Sequence, residues 1–457
     1  MGRTNTRRAP AAGAAIGGAV IAWRAWKKFE VARRNRLLPR DCHVVILGAG
    51  FAGLNTARGL ARLLPGDGRK RITLVDEKNF LLFTPMLTEV AGGELDARHI
   101  AAPPRQISPH IAFEQGRVTN IDLASRSVTL NVEPGVERSI SADHLVIALG
   151  SVANYHGIAG IPEHSLAMKT VADAVEIRNR VLAALERAAA ENDPERRRDI
   201  LTFVVAGGGF TGVETMAAIN DLARESAKNY PSIAAGEINT YLVEPGKRLL
   251  TELNGKLAGF AQRKLEEHGV RVMLNTRLTR AGDGFVELEG GRRIGTRLMI
   301  WAGGVKPNPL LEKLPCPKGK HGGIAVDACC AVPGYAGVWA LGDCAEVPKP
   351  KGDGTYAPTA QNATREGELV ARNVVAVLCG QAPRPFAFHT IGELALVGRH
   401  AGVGEIYGHQ FSGLLAWAMW RAVYLSKIPG MGQRSRILLD WILDCVFGRS
   451  IAELPVG

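Results

Sequence analysis

The stretch His43–Gly53, HVVILGAGFAG, constrains the chain more than any other. The apolar run Val44–Leu47 leads straight into Gly48-x-Gly50-x-x-Gly53. A run of that length ending in glycines predicts a buried parallel strand that turns tightly into a helix. Gly48 permits the turn, Gly50 lets a pyrophosphate approach the backbone, and Gly53 lets the helix pack against the strand. Phe51 and Ala52 open that helix, whose N-terminus offers free N–H groups and a partial positive charge to phosphates. About twenty residues on, where such folds place an acid, RITLVDEKN supplies a second strand ending in Asp76 and Glu77. A carboxylate there can accept hydrogen bonds from a ribose diol. A glycine turn without a ligand would leave the acid unexplained, so a dinucleotide site is expected.

The pattern then recurs. Leu201–Ala206 runs into Gly207-x-Gly209-x-x-Gly212 and then Glu214, and the strand TYLVE ends in Glu244. The interval from Gly212 to Glu244 is longer than usual, and Ala227–Gly236 reads as an insertion within it. Two such motifs imply two dinucleotides, or one motif kept for structure alone; two ligands are the expectation. Glu244 predicts NADH over NADPH, because a carboxylate accepts from a ribose 2′-OH and repels a 2′-phosphate; nearby Arg248 softens that preference. LVIALG (145–150), with Ala148 and Gly150, and LMIWAGG (298–304), with Gly303, read as matching strand-to-glycine passages between two domains. GVWALGD (337–343) sets Gly342 and Asp343 at a strand end, where a carboxylate can accept from a ribityl hydroxyl. Asn79–Gly92, carrying Pro85, reads either as a wall against a flavin ring or as plain core. Residues 168–190 predict a helix, and the charged break Glu191–Asp199 a solvated loop.

A chain of 457 residues is too long for one core, so two or three domains are expected. The net charge of +12 suggests a nucleic-acid partner until its location is considered. Residues 1–40 hold ten Lys or Arg and one acid, leaving 46 basic against 43 acidic side chains elsewhere. The body is thus nearly neutral, and no nucleic acid is implied. The N-terminal segment admits three readings: a membrane-surface arm, a targeting sequence, or a disordered extension. Its first residues fit a loose myristoylation pattern, taken as chance. Seven cysteines without a CxxC pair suit a reducing compartment, and no metal site is expected.

From about residue 43 to 447 the chain resembles the type II NADH dehydrogenases, single-subunit NADH:quinone oxidoreductases that do not pump protons. The resemblance is carried by GAGFAG (48–53), VDEKNF (75–80), FTPMLTEVAGGELD (83–96), ALG (148–150), GGGFTGVE (207–214), WAGGVKPNP (301–309), GDCAEV (342–347) and PTAQNATREG (358–367). It implies an α/β fold of two Rossmann-like dinucleotide-binding domains, one for FAD and an inserted one for NADH, plus C-terminal amphipathic membrane-anchoring helices. The divisions follow: an extension over 1–40, FAD-binding parts at 41–165 and 320–390, the NADH domain at 166–319, and a membrane-associated region at 391–457. The resemblance also implies that Glu214 lies near flavin and nicotinamide, where a carboxylate orients the ring or relays a proton, and that Gln361 borders the quinone. Three departures stand out. Leu81 replaces a common histidine, Arg365 stands where a second glutamine is common, and Ala148 and Ala302-Gly303 are looser versions of threonine-containing turns. A cation at Arg365 can stabilise an anionic reduced acceptor, or it can signal a different acceptor.

Phe411–Leu425 is almost wholly apolar but too short to cross about 30 Å of hydrocarbon. Beyond Pro429-Gly430, the 3.6 period places Ile437, Leu438, Trp441, Ile442, Cys445 and Val446 on one face, with Asp440, Asp444 and Arg436 elsewhere. Trp417, Trp420, Tyr424 and Trp441 suit a lipid interface, and Lys427, Arg434 and Arg436 suit anionic headgroups. An amphipathic hairpin packed on the protein, or a homodimer interface, is the other reading. The expected location is one leaflet, at the cytoplasmic face of the cell membrane or at the inner mitochondrial membrane if the N-terminus is a targeting sequence. Two alternatives to the quinone reductase remain at this point: a flavin NAD(P)H reductase with another acceptor, and a non-enzymatic NADH- and FAD-binding sensor.

Overall fold

The computed structural model describes residues 38–39, 41–65, 71–350 and 354–453; the expectations for the N-terminal extension lie outside them. Two five-stranded parallel sheets organise the chain. In the first, the strand order is Val338–Ala340, His144–Ile147, Val44–Leu47, Ile72–Asp76, Ile111–Gln115. In the second it is Leu166–Ala167, Leu298–Trp301, Thr202–Ala206, Asn239–Val243, Val270–Met273. Each glycine-bearing strand is therefore the middle of five. Both are wholly buried, as expected of parallel sheets covered on both faces. Antiparallel three-stranded sheets over 117–141 and 278–295 are attached to the two units. The two passages between the units run side by side: Ser151–Ala153 pairs antiparallel with Val305–Pro307, and Trp301 Nε1 donates to the Asn154 carbonyl.

The helix expected over 168–190 spans Val171–Ala190, started by a reciprocal cap between Thr170 and Asp173. The expected solvated loop at Glu191–Asp199 is corrected: Pro194–Ile200 is a helix. No residue of it is buried, so the apolar period that announces a helix is missing. The Asp193 side chain capping Glu195 and Arg196, with Pro194 in the first turn, is what starts it.

The C-terminal region is an antiparallel sheet, Gly392–Leu396, Gly402–Ile406 and His409–Gly413, followed by helices Leu414–Lys427 and Met431–Phe447. Phe411–Gly413 thus completes a strand before the apolar helix begins. No helix among the described residues is long and apolar enough to cross a membrane. The last helix departs from the face expected for it. It turns Ile437, Trp441 and Asp444 inward, while Leu438, Leu439, Ile442, Leu443, Val446 and Phe447 are exposed, as is Cys445. An acid goes in and the leucines face out, because the inner side is held by charge as well as by packing.

That charge network joins three parts of the molecule. Arg449, with a side chain 1% exposed, bonds Glu94 at 2.8 Å and lies 3.2 Å from Glu225 and 3.8 Å from Asp444. Arg421 reaches Glu94 at 2.7 Å and Glu89 at 3.3 Å. Its guanidinium is sandwiched between the Trp417 and Trp441 rings, 4.3 and 4.6 Å from their centroids. Burial, and then the charge of Glu94, drives the Glu89 carboxyl well above its usual range. Removing one member of a buried pair strands the others, at a cost of about 3–5 kcal/mol. Arg449→Met is therefore expected to lower unfolding stability by that order in urea denaturation and to expose residues 431–447 to limited proteolysis. A variant as stable and as resistant as the parent would show that the network does not hold the hairpin.

Candidate active site

The two glycine turns are built alike. Gly48 and Gly207 have positive φ, +100° and +117°. A Cβ at Gly48 would overlap the Ala148 carbonyl oxygen, and one at Gly207 the Ala302 carbonyl oxygen. A Cβ at Gly53 would overlap the carbonyl oxygen of Gly48, and one at Gly212 that of Gly207. At Gly50 and Gly209, by contrast, a Cβ would meet nothing within 4 Å. These two residues start helices Phe51–Leu63 and Phe210–Ala227 with no side-chain cap and no acid in the first turn. Each helix thus presents unsatisfied N–H groups and its positive end to open space, an arrangement suited to a phosphate.

The acids ending the second strands also match. Asp76 accepts from Ala49 N at 2.6 Å and Lys78 N at 2.8 Å; Glu244 accepts from Gly208 N and Gly246 N, both at 2.6 Å. Both carboxylates brace the glycine loop from below, a task the sequence does not announce, and each keeps lone pairs for another donor. Burial raises the Asp76 carboxyl above its usual range, against the pull of its two backbone donors. Glu77 turns outward to Arg117 at 3.0 Å, beside a cavity of about 390 Å³ that Lys78, Gln115 and Asn131 also line.

Around the first cradle, Gly342 N donates to Glu366 at 2.7 Å, and burial pushes that carboxyl up to about 7. Asp343 accepts from Ser151 Oγ at 2.6 Å, which in turn accepts from Lys169 Nζ at 2.8 Å. Gly150 has φ +67° with open space beyond it, whereas a Cβ at Gly303 would overlap the Trp301 ring. Pro85 lies in the turn Thr84–Met86, and most of the apolar residues of Asn79–Gly92 are core: Phe83, Met86, Leu87 and Val90 are buried. The Phe83 ring meets Phe51 at 5.6 Å and Tyr424 at 6.2 Å.

Glu214 lies one turn into the second glycine helix and faces the C-terminal region. Its Oε1 accepts from Leu396 N at 2.9 Å and from Trp420 Nε1 at 3.1 Å. Burial pushes its carboxyl up to about 8. Gln361 holds the same region from the other side: Ile391 N donates to Oε1 at 2.9 Å, and Nε2 donates to the Gly392 carbonyl at 3.3 Å. Arg365, one turn further along helix Ala360–Leu378, pairs with Glu368 at 3.1 Å and lies over the Phe388 ring. Sequence reasoning missed Ser151, Lys169 and Glu366 at the first cradle. It named Trp420 and Tyr424 only as interfacial aromatics. Trp420 lies 206 positions from Glu214, and nothing local signals such a contact. The cysteines are free, and burial raises the Cys344 thiol to about 12.

The overlaps give a direct test. Gly53→Ala is expected to be purified without bound flavin colour. Gly212→Ala is expected to keep that colour and raise the NADH KM at least tenfold. Wild-type flavin content in the first and wild-type KM in the second would contradict the roles drawn from this geometry.

Residues 42–367 match the pyridine nucleotide-disulphide oxidoreductase family, and residues 391–450 match the NDH2 C-terminal domain. The type II NADH:quinone oxidoreductase Ndh of Mycobacterium tuberculosis is 32% identical over 88% of each chain. A probable NADH dehydrogenase of Dictyostelium discoideum is 30% identical over 92% of this chain and 93% of its own. The structure of NDH2 from Plasmodium falciparum in complex with NADH shares the fold, with a TM-score of 0.83 at 20% identity over 90% of this chain and all of that one. With two alike glycine cradles, the second tied through Glu214 to an NDH2-type C-terminal region, the chain belongs to the type II NADH:quinone oxidoreductases of the pyridine nucleotide-disulphide oxidoreductase family.

Proposed function

We propose that this protein oxidises NADH and reduces a quinone through FAD while attached to one face of a membrane. The observation that carries the reading is Glu214, which ties the second nucleotide cradle to the region that turns its apolar side outward. FAD fits the first cradle: Gly50 leaves room for a pyrophosphate, the helix start at Phe51 is uncapped, and Asp343 supplies a carboxylate of the kind that accepts from a ribityl hydroxyl. NADH fits the second on the same grounds at Gly209. Asp76, with Glu77 beside it, and Glu244 stand where a ribose would be held, and the fixed charge of Glu244 disfavours a 2′-phosphate. FAD, when bound, supplies the two-electron carrier between nicotinamide and quinone.

The protein's part is positioning and proton management. Two donors occupy Glu214 Oε1, so the neutral acid carries its proton on Oε2. A carboxyl held near 8 is protonated at neutral pH and can pass a proton toward a reduced acceptor. Gln361 fixes Ile391 and Gly392, and Arg365, one turn further along the same helix, carries a cation that can stabilise an anionic reduced acceptor. The outward leucines of helix Met431–Phe447 support peripheral attachment, on whichever side of the membrane NADH is supplied.

Three measurements test this reading. NADH should bleach the bound flavin, and a quinone analogue should restore it. Quinone turnover should fall as pH rises through about 8, where Glu214 loses its proton. Glu214→Gln should be at least tenfold slower, retain FAD and lack that inflection; an unchanged pH profile in the variant would remove Glu214 from proton transfer.

A further inference from the structure

Five cations from four helices gather at the turn between the two C-terminal helices. Arg58 and Arg62 lie one turn apart on the first glycine helix, Arg58 half-buried and Arg62 exposed. That helix packs closely on Ala360–Leu378: a Cβ at Gly59 would meet the Ala371 side chain at 2.6 Å, and one at Gly367 would overlap the Ala52 carbonyl. Arg365 projects from this second helix, its one ion pair among the described residues being with Glu368. The helices on either side of the turn bring Lys427, over the Tyr424 ring, and Arg434. The Arg434 guanidinium donates to the carbonyls of Ile428 at 2.8 Å and Ser426 at 2.7 Å, which fixes its position with no ion pair among the described residues. Burial and the neighbouring charges of Arg62 and Arg434 drive the Arg58 guanidinium below its usual range. Burial and then Arg365 do the same to the Lys427 ammonium.

Like charges assembled from distant parts of a chain cost free energy, which a partner of opposite charge would offset. The collar is continuous with the start of the helix whose outer face is apolar, beginning at the exposed Met431. A cationic rim on an apolar face is complementary to an acidic bilayer surface, apolar within and phosphate-bearing at its edge. We infer that Arg58, Arg62, Arg365, Lys427 and Arg434 form a docking collar for the phosphates of anionic phospholipids. The collar would fix the orientation in which the apolar helix meets the bilayer. This inference rests on the membrane reading above and adds two residues of the first nucleotide-binding domain to the contact.

The test is co-sedimentation of the full-length flavin-loaded protein with phosphatidylcholine vesicles and with vesicles containing about a third phosphatidylglycerol. Each basic side chain near such a surface adds about 1 kcal/mol, so Arg58→Gln/Arg62→Gln should bind the acidic vesicles about tenfold or more weakly. Binding to phosphatidylcholine alone should not change. Should the double variant lose its flavin, the exposed Arg62→Glu alone must show the same selective loss. Wild-type binding should weaken in high salt and resist millimolar glycerophosphate; competition by glycerophosphate would point to a soluble anion and overturn the proposal. Equal wild-type binding to both vesicles, or an unaffected variant, overturns the collar while leaving membrane attachment intact. Binding to neither vesicle removes the membrane reading and the collar with it.

Discussion

The architecture depends on a close backbone approach made twice. The carbonyl oxygen of Gly48 occupies the space a side chain at Gly53 would need, and the carbonyl of Gly207 does the same to Gly212. A helix can start that near the end of a strand only where side chains are absent from both partners. The consequence is electrostatic. With no capping side chain and no first-turn acid, each helix begins with open N–H groups facing a space that the chain leaves unfilled. Native helices rarely leave those donors without partners. The acids beneath, Asp76 and Glu244, do not fill the space. They hold the loop in place from behind by taking its backbone N–H groups.

What distinguishes this molecule from a plain pair of nucleotide cradles is how the C-terminal region is fastened. Glu214 follows Gly212 by two residues and bonds Leu396 and Trp420. Gln361, at the start of the helix behind the first cradle, bonds Ile391 and Gly392. Arg421 and Arg449 then tie the helical hairpin to Glu89, Glu94 and Glu225. The outward apolar face is therefore linked to both cradles through polar contacts with defined directions. Apolar packing alone tolerates sliding; hydrogen bonds and buried ion pairs fix register. A two-electron relay from NADH to a quinone needs such a fixed geometry.

Local patterns were legible in the sequence, and contacts across long intervals were not. Both glycine turns, their strands and the passages at 145–150 and 298–304 follow from short motifs whose geometry is set by neighbouring residues. The helix Pro194–Ile200 was missed because it buries nothing, so its cap was its one signal. The second half of the C-terminal hairpin was read by hydrophobic period alone, which treats Ile437 and Trp441 as companions of Leu438 and Ile442. In the fold they part, because Asp444 and its arginines claim the inner side. Periodicity reports where apolar residues recur, not which of two opposed faces meets the protein. Asp76 illustrates a different limit: an acid at the strand end was legible, but its service to the loop backbone needed coordinates.

The divided apolar face of the last helix also bears on the ion network. Replacing a buried ion pair by apolar residues often leaves a protein as stable or more so, so Glu89, Glu94, Arg421, Arg449 and Asp444 are a poor choice if stability were their purpose. Had leucines been turned inward and acids outward, the last helix would be an ordinary surface helix. Keeping the leucines outside obliges the inner side to be held by something other than a broad apolar face. Charge contributes to that hold, and a residue beyond the last helix, Arg449, joins Glu94, Glu225 and Asp444 in it. Helix Met431–Phe447 is thus held from within by Ile437 and Trp441 together with the ion pairs of Asp444, while its leucines stay exposed.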